Sequence, residues 1–125
     1  MKTLKKLFVA FVMVSVTLAF AENVYGNTEG KLIYYKNGSL TEERVRFGNI
    51  SAERKTFLLL KVLVENRLCN GLKLKYTFLD EGSLCVGLND VFNTKDFYEK
   101  LLITEQITKT ACSVEGVESI MIYVD

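Results

Sequence analysis

The chain has 125 residues, with 16 basic and 15 acidic side chains, a length that suits one domain built around a single core. It contains no histidine, which removes the commonest general base, the commonest zinc ligand and every Ser-His or Cys-His nucleophile pair. A near-neutral charge without a basic cluster argues against nucleic acid as a partner, because such binding depends on Lys and Arg at phosphates.

The first 21 residues have the pattern of a signal peptide. Three lysines precede an apolar run from Leu7 to Phe20, and Ala19-Phe-Ala21 is the small-x-small pattern that a signal peptidase reads. We predict cleavage between Ala21 and Glu22, which leaves a mature chain of formal charge −2 outside the cytoplasm, in the periplasm, in the cell envelope or secreted. The apolar run is shorter than the roughly 20 residues of a membrane-spanning helix, so we expect no membrane anchor after cleavage. An uncleaved anchor is the alternative.

Residues 22–30 are polar and lack periodicity, and they predict a flexible N-terminal tail before a domain that spans residues 31–125. The β-type run Leu32–Tyr35 predicts a first strand that ends at the turn Asn37-Gly-Ser39. In the next segment, Val45 and Phe47 alternate with charged residues, as in an edge strand.

Ser51 is the predicted N-cap of a helix over residues 52–67, which Asn70-Gly71 ends. Leu58, Leu59 and Val62 add apolar side chains outside the main apolar stripe, so this helix is hydrophobic around most of its circumference. Two explanations stay open: the helix is covered on two sides, or it contacts a neighbouring protein.

The second half of the chain predicts a hairpin, a helix and a last strand. Residues 73–78 alternate with Leu74, Tyr76 and Phe78 on one face, and Asp80-Glu-Gly82 predicts the turn into a second strand. Thr94 is the predicted cap of the second helix. Its inward candidates are Phe97, Leu101, Ile107 and Ala111, and a strand with inward Ile120, Ile122 and Val124 closes the chain.

This order of strand, edge strand, helix, hairpin, helix and strand predicts an α+β fold in which two helices pack on one face of a small mixed sheet. The other face is then expected to be polar. It would present the side chains of Lys73, Lys75, Thr77, Ser83 and Asn89.

No residue pattern points to a reaction. Glu42-Glu43 and Asp80-Glu81 are candidate acid–base pairs, but both lie among polar residues and are interpreted as solvated charges. The cysteine spacing fits no zinc site, and no glycine-rich loop fits a phosphate. We therefore predict no enzyme, no catalytic residue, no cofactor and no metal.

Three cysteines in an oxidising compartment leave several states open. One disulfide with a spare thiol, an intermolecular bridge or no bridge are each compatible with Cys69, Cys85 and Cys112. If one disulfide forms, we predict Cys69 with Cys112, because both lie just past helix ends.

Three segments together resemble the GerMN domain, a sporulation and spore-germination module of bacterial envelope proteins. They are the hairpin Gly71–Phe92, the helix and strand of Thr104–Asp125, and the first helix after the strand Arg44-Val-Arg46. The resemblance covers residues 31–125. It implies a non-enzymatic module for assembly or contact in the cell envelope, in some relatives within sporulation or germination complexes.

The resemblance implies a protein partner, either another envelope protein or a second copy in self-association, that contacts an edge strand or the face of the first helix. The alternative is a module that binds cell-wall glycan (peptidoglycan) or a small ligand on the polar sheet face. Tyr35 or Tyr123 would then serve as stacking platforms.

Overall fold

In the computed structural model of the chain, the residues described are 6–8, 29–68 and 71–124. Most of the predicted leader, the predicted cleavage site at Ala21 and Glu22, and Cys69 of the predicted disulfide lie outside these residues, so these remain predictions. The elements in chain order are β1 Lys6–Phe8, β2 Glu29–Lys36, β3 Ser39–Arg46, α1 Ala52–Val62, β4 Leu74–Asp80, β5 Ser83–Leu88, α2 Phe97–Cys112 and β6 Ser119–Val124.

The fold is α+β, and the predicted order of the elements from β2 to β6 is confirmed. A four-stranded mixed sheet has the order β1-β6-β5-β4, in which β5 and β6 are parallel and the other neighbours antiparallel. The first two strands of the predicted domain, β2 and β3, form a separate antiparallel hairpin. Both helices contact the mixed sheet on one side and β2 on the other.

Helix α1 begins as its sequence predicts. The Ser51 hydroxyl accepts a hydrogen bond from the Arg54 N–H at 3.2 Å, and Glu53 lies in the first turn, where a negative charge suits the helix dipole. The helix continues as a π-helical segment over Leu63–Leu68, and Gly71 follows with a φ of +86°, a backbone conformation that favours glycine. Leu59, Leu60, Leu63 and Val64 are buried.

Strand β4 departs from its predicted alternation. The pairing with β5 shifts between Leu74 and Tyr76, which places one extra residue in this edge strand. After the shift Thr77 lies opposite buried Val86, so Tyr76 and Phe78, predicted to point inward, lie on the face away from the helices. The same shift moves Thr77 off the predicted polar face, because an odd insertion exchanges the two faces of a strand.

Helix α2 begins two residues later than its predicted cap. Asp96, not Thr94, caps it: the Asp96 carboxylate accepts from the Glu99 N–H at 2.8 Å, and the Glu99 carboxylate accepts from the Asp96 N–H. Ile107 and Ala111 are fully buried as predicted, whereas Phe97 and Leu101 are exposed and not inward. No helix in the described part of the chain is both long and apolar enough to span a membrane.

Along one edge of β2, backbone N–H groups donate to side chains of α2 and of its C-cap residue Ser113 instead of to a third strand. The N–H groups of Lys31, Ile33 and Tyr35 donate to side-chain oxygens at 2.9, 2.9 and 2.8 Å. Their acceptors are Ser113, Thr110 and Gln106. The strand period of two and the spacing of three to four on the helix side therefore match at three successive positions, and we refer to this row as the β2–α2 ladder.

Glu29 and Gly30, which the composition assigned to the flexible tail, are the first residues of β2. Gly30 is buried, and a Cβ atom at this position would lie 2.6 Å from Leu59 Cδ1. Strand β2 therefore begins two residues before the predicted start of the domain, and Gly30 allows its close approach to α1. All the described residues of the hydrophobic core lie between Leu32 and Val124.

Candidate functional site

The predicted acid pairs are not assembled into a reactive centre. Glu42 and Glu43 are neighbours in β3, so their side chains point to opposite faces. Asp80 and Glu81 are exposed at the β4–β5 turn. The described residues contain no group of three or more His, Cys, Asp or Glu side chains that could hold a metal ion.

Glu43 belongs to a small structural cluster that connects the β2–β3 hairpin to the π-helical segment after α1. Its carboxylate accepts a hydrogen bond from the Tyr34 hydroxyl and pairs with the Arg67 guanidinium at 3.3 Å. The guanidinium also lies 5.5 Å from the centre of the Tyr34 ring. The hydrogen bond from Tyr34, and then the one from Arg67, lower the pKa of Glu43.

The lowered pKa of Glu43 predicts acid sensitivity. A carboxylate whose folded-state pKa is depressed stabilises the fold fully above its unfolded-state pKa, and this contribution is lost as the pH falls through the folded-state value. We expect the free energy of unfolding to decline between about pH 5 and pH 3, and Glu43→Gln to flatten this decline. Denaturant titrations at a series of pH values measure the free energy of unfolding of both proteins. Glu42→Gln, which removes the same charge without touching Tyr34 or Arg67, is the control; an equal flattening would contradict the prediction.

The two described cysteines, Cys85 and Cys112, are not bridged to each other. Cys112, at the end of α2, is partly buried, and burial raises its pKa to about 11. A thiol with such a pKa is protonated at neutral pH and is a poor nucleophile. Cys85 lies in the middle of β5, on the face away from the helices. Since Cys69 is outside the described residues, the bridge between Cys69 and Cys112 remains a prediction.

A shallow groove of about 390 Å³ lies between the start of α1 and β4, open to solvent. Its lining is mostly polar or charged, with Phe57 and Tyr76 as the aromatic members. A cleft that is this open does not exclude water from a ligand, so it lacks the burial typical of small-molecule sites.

The face of the mixed sheet away from the helices is apolar along its centre. Two cross-strand rows run over β4, β5 and β6: one joins Phe78, Cys85 and Met121, and the other joins Tyr76, Gly87 and Tyr123. The expected polar face is therefore absent from this region. We refer to these six residues as the apolar sheet face.

Gly87 leaves space on this face because it has no side chain. The Tyr76 ring lies over it, and a Cβ atom at Gly87 would approach that ring to 2.2 Å. The Tyr76 ring covers Gly87, which is buried. Phe78 remains 56% exposed, which is unusual for a phenylalanine on a sheet.

A second apolar surface lies at the start of α2. Phe97 and Tyr98 are the most exposed large apolar residues described, at 69% and 68%, and Leu101 lies one turn further on. Tyr35 and Leu40 are cross-strand partners in the β2–β3 hairpin, and both are exposed. We refer to these five residues as the helix-start patch.

The hairpin and helix halves of the helix-start patch are joined through Tyr35. Its hydroxyl donates to the Glu105 carboxylate at 3.1 Å, and Glu105 lies one helical turn after Leu101. The pKa of Tyr35 is raised, first by this hydrogen bond, then by burial and the Glu105 charge, with a smaller effect from Tyr98. The patch therefore brings together aromatic residues from two separate elements.

The structure places the predicted contact surfaces differently from one another. Helix α1 is covered on two sides, by β4 and by β2, which accounts for its excess of apolar residues. Among the large apolar residues of this helix, Leu58 is exposed, at 38%. Tyr35 and Tyr123, the predicted stacking platforms, lie on different surfaces. The helix-start patch was missed because Phe97 and Leu101 fit an inward stripe.

No protein-family model matches the chain, and no curated protein matches it. A solved structure described as a "Putative Lipoprotein from Clostridium perfringens" is similar in fold, with a TM-score of 0.52 and 14% sequence identity. The match covers 86% of this chain and 80% of that one. At this identity the similarity shows a shared fold.

Proposed function

We propose that the chain is a non-enzymatic protein-interaction domain that works outside the cytoplasm, in the cell envelope, and that it is a GerMN-like module. In this proposal it binds another envelope protein through the helix-start patch. The GerMN resemblance adds a more specific proposal, a role in sporulation or germination assemblies.

The observation that carries the proposal is the exposure of Phe97 and Tyr98 beside Tyr35 and Leu40. Aromatic side chains are enriched at protein interfaces and supply much of their binding energy, whereas a monomer that binds nothing gains nothing from such exposure. The capping box of Asp96 and Glu99 fixes the first turn of α2, so the two rings are presented on a preorganised backbone.

The extracytoplasmic location is supported by the leader pattern of residues 1–21 and by the shared fold with a protein described as a lipoprotein. Glu22 stands at the predicted start of the mature chain, where a lipoprotein needs cysteine. The proposal is therefore a free mature domain that is retained in the envelope by its partner.

The absence of turnover is supported by residue chemistry. The sequence has no histidine, Glu43 is held by Tyr34 and Arg67, and the raised pKa of Cys112 keeps that thiol protonated. Without histidine, the sequence lacks the commonest general base of acid–base and nucleophilic catalysis.

Site-specific photocrosslinking in cells tests the proposal. With benzoylphenylalanine in place of Phe97, we expect one discrete crosslinked protein in the envelope fraction. The same substitution at Leu58, which is exposed on α1 away from the patch, is the control and is expected to give none. Equal crosslinking from both positions, or none from Phe97, would contradict binding through the patch.

Peptidoglycan is the competing ligand. Retention of the purified mature chain on insoluble peptidoglycan, unchanged by Phe97→Ala, would favour the glycan alternative. The apolar sheet face presents few hydrogen-bonding groups around Tyr123, which does not favour a sugar site there.

A further inference from the structure

The mixed sheet has an edge at β6 that accepts an antiparallel strand. In the full chain that strand is β1, whose residues Lys6 to Phe8 lie opposite Val124, Tyr123 and Ile122. The remaining half of β6, from Ser119 to Met121, has no β1 residue opposite it among the described pairs. Main-chain pairing at this edge is therefore geometrically open to an added strand.

The strand that occupies this edge lies within residues 1–21, the predicted leader. If the leader is removed, as the proposed function requires, β6 loses β1 and becomes an edge strand with unpaired N–H and C=O groups. The described core lies entirely after residue 31, so the mature chain keeps it. Processing thus uncovers a strand edge without removing any of that core.

The other exposed edges carry features that discourage pairing, and β6 does not. Strand β3 has four charged residues, and β4 has a bulge and Lys75. Strand β6 reads Ser-Ile-Met-Ile-Tyr-Val, with no charge, proline, glycine or bulge. Edges of this kind pair readily with another strand.

We propose that a second copy of the mature chain takes the place of β1, so that two β6 strands pair antiparallel about a two-fold axis. This inference rests on the export in the proposed function. Opposite residues in an antiparallel pair share a face, and an axis at Ile122 sets Met121 of one copy opposite Tyr123 of the other. On the helix side, the buried residues Ile120, Ile122 and Val124 of one copy then lie opposite the same set of residues in the other copy.

The apolar sheet face also favours a second copy of the chain at the β6 edge. Met121 and Tyr123 end the two rows of the apolar sheet face at β6. Pairing of β6 with its own copy continues both rows into the partner, which doubles the apolar face within one six-stranded sheet. A strand with a different sequence would have to reproduce this alternation to fit as well.

Sedimentation equilibrium on mature chain, residues 22–125, tests the proposal. We expect a concentration-dependent dimer. Met121→Lys should weaken it at least about tenfold, because it brings two like charges together near the axis. Met121 is partly exposed on the outer face, so the lysine reaches water without disturbing the core. Ser83→Lys adds the same charge on the same face of β5, one strand in from the edge, and should leave the dimer intact.

A peptide with the sequence of residues 4–10 is a second test that needs no substitution. It should compete for the β6 edge and dissociate the dimer, whereas a scrambled peptide should not. A mature chain that stays monomeric, or a dimer insensitive to both Met121→Lys and the peptide, would overturn the proposal. Crosslinking from Phe97 is independent of this edge, so its loss would count against the proposed function instead.

Discussion

Thr110→Val is expected to lower the free energy of unfolding by about 2–6 kcal/mol, because a buried backbone group without a partner costs about 1–3 kcal/mol and two are affected. The Thr110 hydroxyl accepts from the Ile33 N–H at 2.9 Å and lies 3.2 Å from the Ile33 carbonyl oxygen, to which it can donate. Valine has nearly the same shape and fills the site, so the loss isolates the hydrogen bonds of the β2–α2 ladder.

Thr108→Val is the matched control. Thr108 is as deeply buried on the same helix, but its hydroxyl donates to the Thr104 carbonyl within α2, at 2.7 Å. Its removal should cost less than about 1 kcal/mol, since no β-strand group loses a partner. Denaturant unfolding of both variants measures the difference. Equal losses would show that the ladder does not hold the hairpin.

The double substitution Phe97→Ala and Tyr98→Ala is expected to weaken binding of the envelope partner by at least about 30-fold, or 2 kcal/mol, because exposed aromatic anchors supply much of the energy of an interface. Because both side chains are exposed in the free protein, the free energy of unfolding should change by less than about 0.5 kcal/mol for each. Titration calorimetry with the partner that crosslinks at Phe97 measures the affinity.

Leu58→Ala is the control for this pair, since it removes an exposed apolar side chain from α1, outside the helix-start patch. Its binding should match that of the unaltered protein. A double variant that binds normally would place the interface elsewhere on the domain. Weak binding accompanied by a large loss of stability would instead mean that Phe97 and Tyr98 serve the fold.

Local signals in the sequence predicted much of this fold. The Ser51 cap and the alternation in β5 and β6 depend on neighbouring residues alone, and the structure has each of them. The cap of α2 was displaced because Thr94 and Asp96 are both good caps, and only Asp96 has a glutamate three residues later.

The features that sequence missed depend on non-local partners. One extra residue in β4 exchanges the faces of Tyr76 and Phe78, and nothing in the local pattern marks it. The polar row of Gln106, Thr110 and Ser113 resembles a solvated helix face until β2 is placed against it. The extra residue in β4 also places Tyr76 and Phe78 on the apolar sheet face.

Export is the premise on which both the envelope interaction and the exposed β6 edge depend. The most direct test is the intact mass of the chain recovered from fractionated cells. We expect a polypeptide that begins at Glu22 and is found outside the cytoplasm. A full-length polypeptide that begins at Met1 and stays in the cytosol would contradict it.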